Sequence, residues 1–151
     1  MGTRSMIGVM HGDNCKAVYC HWDGYLSHNG RILQEHYDSA KANHLVALGN
    51  LSSLAPEIGE KHPFSQFEVN MPSDEFKEKY GNMCTFYGRD RDESENEFVT
   101  FTSKESLVEH FNNVWAEFCY IMKDGVWYMF DQDNTELRLL SEELAKVTEE
   151  V

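Results

Sequence analysis

The stretch YCHWDGY at positions 19–25 is the densest cluster of chemically versatile side chains in this chain. It combines a thiol, an imidazole, a carboxylate and three aromatic rings within seven residues. Such rings can stack on a planar ligand, and such polar groups can transfer protons. One function left open is therefore a hydrolase or transferase in which the thiolate of Cys20 attacks the substrate with help from His21 and Asp23.

Two observations weigh against that enzyme. Cys20 and His21 are adjacent, and neighbouring residues of a strand face opposite sides, so His36 or His44 would have to serve as the base. The chain also contains none of the motifs GxxxxGK[ST], GxGxxG, HExxH and GxSxG. We therefore predict no catalytic residue from the sequence.

A structural role fits the same stretch. Trp22 and Tyr25 would then pack in the core. Asp23 and Gly24 would form a turn in which the carboxylate of Asp23 accepts hydrogen bonds from backbone N–H groups.

Arginines provide a second group of candidates. Arg4 and Ser5 begin the first predicted strand, and Arg89 and Arg91 flank Asp90 in a segment of mixed charge. Two arginines that are two residues apart can clamp a phosphate or a carboxylate. The candidate ligand-binding or partner-binding residues are therefore Arg4, Ser5, His21, Trp22, Asp23, Tyr25, Arg89, Asp90 and Arg91.

A nucleotide or other small molecule would use these residues in a defined way. Trp22, Tyr25 and Trp127 would stack on the base, and the arginines would hold the phosphates. The alternative for the arginine segment is a solvated loop with internal ion pairs, each of which contributes little stability. The neighbouring acids disfavour strong anion binding unless they turn away.

The charge balance narrows the partners. The chain has 13 basic and 26 acidic residues, a formal net charge of -13. Nucleic-acid binders need a basic face, and none is visible, so direct binding to duplex DNA or RNA is disfavoured. An acidic membrane surface would repel the chain as well. The acidity serves either solubility or docking on a basic partner surface.

Cysteine usage and hydropathy indicate a cytoplasmic protein. No apolar run reaches the roughly 18 residues of a membrane span, and no signal peptide is visible. The four cysteines are therefore expected to be free thiols. Cys15 and Cys20 are five positions apart in a predicted strand, so they should face opposite sides. We expect no metal site and no cofactor.

Local patterns predict the elements of the first half. Asp38 is placed to cap a helix, and Gly49 to end it. The predicted order is a hairpin over residues 6–20, helices over 31–37 and 39–48, a loop or a single turn over 51–54, and an irregular segment over 55–72 that holds all three prolines.

The second half contains the strongest hairpin pattern, two apolar runs around Asp124-Gly125. It predicts Met122 opposite Trp127 and Tyr120 opposite Met129. Before this hairpin, the predicted order is a helix capped by Ser73, a strand over 84–87, a charged loop over 89–97 and a strand over 98–101. A helix then follows a capping box of Thr102 and Glu105, and its predicted apolar side consists of Leu107, Val108, Phe111 and Val114/Trp115. After the hairpin, Ser141 is predicted to cap a helix over 142–151. Together these predict one compact α+β domain over residues 1–151, with a mostly antiparallel sheet built from two β-hairpins and several short helices.

Several stretches resemble a family of small proteins encoded by bacteriophages and prophages: GTRS at 2–5, YCHWDGY at 19–25 with Gly30 and Tyr37 behind it, and LGNLSSL at 48–54. The segment RDRDE at 89–93 is similar to a segment of that family in which a glycine usually stands at the position of Asp92. The resemblance covers the first 54 residues well and the rest loosely. It implies a phage origin and a compact α+β domain, and no particular activity.

The resemblance also implies a binding role, since small phage accessory proteins often block a host enzyme or a defence system, or sequester a signalling nucleotide. We therefore expect a phage-encoded, non-enzymatic accessory protein that binds and inhibits a host or defence protein in the bacterial cytoplasm. The acidic loop over 90–97 and the C-terminal helix are its predicted contact surfaces. Apolar residues on both faces of the last hairpin favour either a homodimer or a place in the core.

Overall fold

An eight-stranded mixed sheet organises residues 3–64, 66–93 and 96–149, which are those described by the computed structural model. The strands are β1 (Ser5–His11), β2 (Asn14–Cys20), β3 (Leu51–Ser53), β4 (Thr85–Phe86), β5 (Val99–Phe101), β6 (Phe118–Lys123), β7 (Val126–Asp131) and β8 (Arg138–Leu139). Their spatial order is β4-β3-β2-β1-β6-β7-β8, and β5 also pairs with β2. The pairs β1–β6 and β2–β3 are parallel, and the remaining pairs of strands are antiparallel.

Both predicted hairpins are confirmed. The strands β1 and β2 pair from Ser5 opposite Cys20 to His11 opposite Asn14. In the hairpin of β6 and β7, Met122 lies opposite Trp127 and Tyr120 opposite Met129, as predicted. Asp124 and Gly125 both have positive φ, 51° and 79°, which is the conformation of a type I′ turn. The α+β class with a mostly antiparallel sheet is likewise confirmed.

Short helices cover the sheet. They are α1 (Arg31–His36), α2 (Ser39–Ala47), α3 (Ser73–Tyr80), α4 (Tyr87–Arg91), α5 (Lys104–Asn113) and α6 (Leu140–Glu149), with a π-helix (Leu26–Gly30) ahead of α1 and a 3₁₀ turn (Gln66–Glu68). The cap at Asp38 is confirmed, because its carboxylate accepts a hydrogen bond from the Lys41 N–H at 2.8 Å.

Three other predicted caps were misplaced, two of them by one position and the third by two. The cap of α5 is Ser103, whose hydroxyl accepts from the Ser106 N–H at 3.2 Å, and not Thr102. Ser73 is the first residue of α3, where Pro72 takes the cap position without a side-chain bond. Similarly, α6 begins at Leu140, ahead of Ser141. Residues 150 and 151 of that predicted helix lie outside the described residues.

Each face of the central strands carries its own core, because alternate residues point to opposite sides. On one face, helices α1, α2 and α6 cover a larger core that includes Ile7, Tyr120 and Met129. On the other face, α5 covers a smaller core that includes Met6 and Phe130. Both faces of the last hairpin are thus covered by this chain itself, which supports its predicted place in the core.

Two sequence predictions, one for residues 51–54 and one for Trp127, need correction. Residues 51–54 were expected to form a loop or a single turn, but Leu51 pairs with Cys20 of β2 and with Phe86 of β4, so the first three of these residues form β3. The predicted stacking residue Trp127 is buried, and its indole N–H donates to the Tyr37 carbonyl at 2.9 Å. Trp127 is therefore not available to a ligand.

None of the helices described here has the length and apolar character that crossing a membrane requires.

Candidate functional site

The turn that leaves β2, here called the Trp22 loop (residues 21–25), is held by the backbone on both sides. The N–H groups of His21 and Trp22 donate to the carbonyls of Leu51 and Ser52 at 3.1 and 3.0 Å. The N–H of Gly24 donates to the Thr3 carbonyl at 2.8 Å. The loop therefore continues the sheet between β3 and the segment that precedes β1.

A buried amide fixes the loop from beneath. Asn29 lies in the π-helix and is buried. Its side-chain nitrogen lies 3.3 Å from the Ser5 hydroxyl, 3.5 Å from the Cys20 sulfur and 3.3 Å from the Trp22 carbonyl. Its backbone N–H donates to the Asp23 carbonyl at 3.2 Å. Single π turns of this kind are frequent at functional sites.

The loop also has no room to shift. A Cβ atom on Gly24 would lie 2.6 Å from the Ser5 Cβ and 2.8 Å from the Thr3 carbonyl oxygen. The Tyr120 hydroxyl donates to the Gly24 carbonyl at 2.5 Å. Asp23 adopts the left-handed conformation at φ 57°, so the predicted turn is confirmed. Among the described residues, however, the Asp23 carboxylate accepts no backbone hydrogen bond, and the turn depends on its backbone.

The predicted packing of Trp22 and Tyr25 in the core is wrong. Trp22 is 43% exposed and Tyr25 is 40% exposed. Trp22 packs edge-on against His21, with ring centroids 4.7 Å apart, and Tyr25 packs against His28 at 5.9 Å. A rigid backbone thus presents two large rings to solvent.

Next to Trp22, the sheet face that α5 covers elsewhere carries partly exposed side chains. Arg4, Tyr19 and His21 share this face because strand residues alternate. The Tyr19 hydroxyl lies 2.7 Å from the His21 Nδ1. Burial, followed by the charge of Arg4, lowers the pKa of His21, which favours the neutral ring. Burial raises the pKa of Tyr19, and the charge of Arg4 opposes that rise.

A groove of about 350 Å³ adjoins this face. It lies between the exposed end of α5 and strands β2 and β5. Its lining residues are Met6, Ala17, Val18, Tyr19, Asn50, Glu97, Val99, His110 and Val114.

Trp115 follows Val114, a lining residue of this groove, at the end of α5. The N–H groups of Trp115 and Ala116 donate to the carbonyls of Asn112 and Phe111 at 3.2 and 3.1 Å, which is the Schellman arrangement. Glycine is the usual residue at the position of Trp115, because φ is positive there, and Trp115 has φ 62°. The prediction that Trp115 shares the buried face of the helix is wrong, since it is 77% exposed.

We call Tyr19, His21, Trp22 and Trp115 the aromatic surface. Trp22 contacts His21, and His21 is bonded to Tyr19. Tyr19 lines the same groove as Val114, which precedes Trp115. The N–H of Glu117 donates to the Arg4 carbonyl at 2.8 Å, which ties the end of α5 to the start of β1.

The predicted charged loop over 89–97 differs most from the structure. Arg89, Asp90 and Arg91 belong to α4, and Asp90 is buried. The carboxylate of Asp90 accepts from the N–H groups of His62 and Phe86 at 3.1 and 2.8 Å and pairs with the Arg89 Nε at 3.0 Å. Asp90 therefore organises the interior and cannot belong to an acidic contact surface.

Arg89 is equally occupied. Its guanidinium donates to the carbonyls of Ile58, Gly59 and Cys84 at distances of 2.9 to 3.0 Å. These bonds fasten the irregular segment 55–72 to the end of the sheet. Arg91 pairs with Glu93 at 3.0 Å and lies over the Phe64 ring. These internal partners leave the predicted phosphate clamp of Arg89 and Arg91 without support from the geometry. Residues 94 and 95 of the predicted loop lie outside the described residues.

The thiol has no catalytic environment. Cys20 is 0% exposed, and burial raises its pKa to about 12. Cys15 belongs to the smaller core and Cys20 to the larger one, so the prediction that they face opposite sides is confirmed. Ser5 is buried as well and supports the loop through Asn29, so it cannot meet a ligand directly.

Sequence reasoning found the Trp22 loop and missed its support. Alternation along β2 could have placed Tyr19 beside His21 on one face. No sequence pattern indicated Asn29, because a five-residue π-helix has no characteristic period and its partners lie up to 24 positions away.

Searches of protein-family models, curated proteins and solved structures return no match to this chain.

Proposed function

We propose that this protein is a phage-encoded, non-enzymatic accessory protein that binds and inhibits a host or defence protein through its aromatic surface. The observation that carries the proposal is the exposure of Trp22 and Trp115 on backbone that is fixed or strained. Tryptophan and tyrosine dominate the energetics of protein interfaces. Trp22 and Trp115 are 43% and 77% exposed, so both indoles are accessible to a partner.

The backbone at Trp115 strengthens the argument. A non-glycine residue at positive φ costs roughly 1–3 kcal/mol, and glycine at this position would avoid that cost. Trp115 regains little of it by burial, because most of its side chain is in solvent. A contribution outside folding, such as partner binding, accounts for a tryptophan at this position.

Rigidity at the Trp22 loop points the same way. Side chains and loops that are ordered before association lose less entropy when they bind. Asn29, Gly24 and Tyr120 fix the loop in the free protein. This favours a preformed contact surface over a loop that orders on binding.

The acidic residues predicted to contact a partner are less accessible than the aromatic surface. Asp90 is internal, and Asp92 pairs with Lys61 at 2.9 Å, so the acidic segment is a weaker candidate than the aromatic surface. The nucleotide site in its predicted form loses support too, because Arg89 and Arg91 are engaged and Trp127 is buried. We place the proposed complex in the bacterial cytoplasm.

The test is capture from a bacterial lysate, read by mass spectrometry, with the wild type and single alanine variants as bait. The wild type should retain a partner in stoichiometric amount. Trp22→Ala and Trp115→Ala should each reduce its retention about tenfold or more, since truncating a central tryptophan costs about 2 kcal/mol or more. Phe67→Ala is the matched control, because Phe67 is 83% exposed and lies outside the aromatic surface.

A partner retained equally by all four baits would refute the aromatic surface as the contact. Empty lanes for the wild type would refute the protein-partner proposal and move attention to small ligands.

A further inference from the structure

We propose that the groove beside Tyr19 binds a nucleoside monophosphate whose base carries an exocyclic amine, with Arg4 holding its phosphate. This small-molecule site does not depend on the proposed protein partner. It also differs from the nucleotide site predicted from the sequence, since it uses neither Arg89, Arg91 nor Trp127.

The size and walls of the groove fit a nucleobase. Its volume of about 350 Å³ lies in the range of small-ligand pockets. Tyr19 forms one aromatic wall, and Val99 and Val114 supply apolar surface. Ligand pockets of this kind combine such walls with a few convergent polar groups that fix orientation.

Two polar side chains in the groove match the edge of an amino-substituted base. The Oδ1 of Asn50 accepts from the Tyr19 N–H at 2.9 Å, which orients the amide and leaves its NH₂ group without a partner among the described residues. That NH₂ group is open to solvent, because no side-chain nitrogen or oxygen of the described residues is both buried and unbonded. It can donate to a ring nitrogen, while the Glu97 carboxylate can accept from an exocyclic amine.

Arg4 supplies the charge for a phosphate. The guanidinium groups of Arg89, Arg91 and Arg138 form hydrogen bonds or ion pairs, whereas that of Arg4 forms none with the described residues. Arginine is well suited to bidentate phosphate binding.

Arg4 does not line the groove but lies close to two residues that do. It precedes Met6, a lining residue, by two positions on the same face of the strand, a separation of about 7 Å. Its charge acts on Tyr19, another lining residue. A ligand whose base fills the groove can therefore direct its phosphate towards Arg4.

The test is isothermal titration calorimetry of the purified full chain with AMP, CMP, IMP, UMP, adenosine and inorganic phosphate. AMP or CMP should bind about tenfold or more tightly than IMP or UMP, which carry a carbonyl in place of the amine. The free nucleoside and phosphate alone should bind more weakly than AMP.

Variants separate the two ends of the site. Arg4→Gln should weaken AMP binding about tenfold or more without changing adenosine binding, while the matched Arg91→Gln should behave as the wild type. Glu97→Gln should abolish the preference for AMP over IMP. This second variant keeps the test decisive if Arg4→Gln does not fold.

Three results would overturn the inference. They are an absence of heat from AMP and CMP at concentrations up to about 1 mM, equal affinity for AMP and IMP, or unchanged AMP affinity in folded Arg4→Gln. None of them bears on the capture experiment above, so the two proposals fail independently.

Discussion

The Trp22 loop and α4 both adjoin β3, and they use their polar residues in opposite ways. In α4, the side chains of Arg89 and Asp90 point inward and form hydrogen bonds with each other and with backbone groups of this chain. In the Trp22 loop, the hydrogen bonds are made by the backbone and by Asn29, which leaves the side chains of His21 and Trp22 outward. In α4 the polar side chains stabilise the fold, whereas in the Trp22 loop backbone hydrogen bonds hold the segment and the side chains stay exposed.

The comparison teaches that a dense cluster of charges or rings is not by itself a binding site. What separates the two is the source of the bonds that hold the segment. Side chains that satisfy distant carbonyls, as Arg89 does for Ile58 and Gly59, have no donors left for a ligand. Side chains on a segment held through its backbone remain available.

Asp90 should show the largest effect. In Asp90→Ala, the Arg89 charge and the N–H groups of His62 and Phe86 lose their buried partner, so the free energy of unfolding should fall by about 3–5 kcal/mol. Urea denaturation followed by circular dichroism measures it. Asp92→Asn removes only a solvent-exposed ion pair and keeps a side chain that tolerates the left-handed conformation at φ 55°, so stability should stay close to that of the wild type. Equal losses in the two variants would contradict an internal role for Asp90.

Gly24 should show the next largest effect. Gly24→Ala places a methyl group 2.6 Å from the Ser5 Cβ, so the loop must shift and the free energy of unfolding should fall by about 1–3 kcal/mol. The same variant should lose the captured partner. The control is Gly88→Ala in α4, where the nearest atom is 3.7 Å away and stability should be unchanged or higher.

Trp115 should separate stability from binding. Trp115→Gly removes the strain at φ 62° and should raise the free energy of unfolding by about 1 kcal/mol while it weakens partner capture. Trp115→Ala keeps the positive φ and should weaken capture without that gain in stability. A loss of stability in Trp115→Gly would show that the indole contributes mainly to folding.

The cysteines should show no detectable reaction with an alkylating reagent in the folded protein. All four are buried, and burial raises the pKa of Cys15 to about 11 and that of Cys20 to about 12. Because thiolate forms only near or above those values, alkylation by iodoacetamide at pH 8 should be negligible in the folded protein and complete in urea. Labelling of native Cys20 would reopen the nucleophile hypothesis.

Local patterns predicted the parts of the fold that local interactions determine. The Asp124-Gly125 turn fixes the register of β6 and β7, and Asp38 caps α2 through a bond to a residue three positions away. The cap of α5 was missed by one residue because Thr102 and Ser103 are both good cap formers. Register ambiguity of this size is inherent in short polar runs.

Elements stabilised by distant partners were not predictable. The strand β3 exists because Leu51 pairs with Cys20 and Phe86, and α4 exists because Asp90 receives bonds from His62 and Phe86. For the same reason, the sequence identified the residues of the Trp22 loop but not their exposure. Whether a ring faces inward or outward depends on which distant segment covers it.

The most direct test of the contrast between the two regions is hydrogen exchange of the protein with and without its captured partner. We predict new protection in peptides that cover residues 19–25 and 114–117, with no change at residues 87–92, which are already bonded internally. Protection confined to residues 87–92, with the Trp22 loop unaffected, would contradict the assignment of the aromatic surface as the contact.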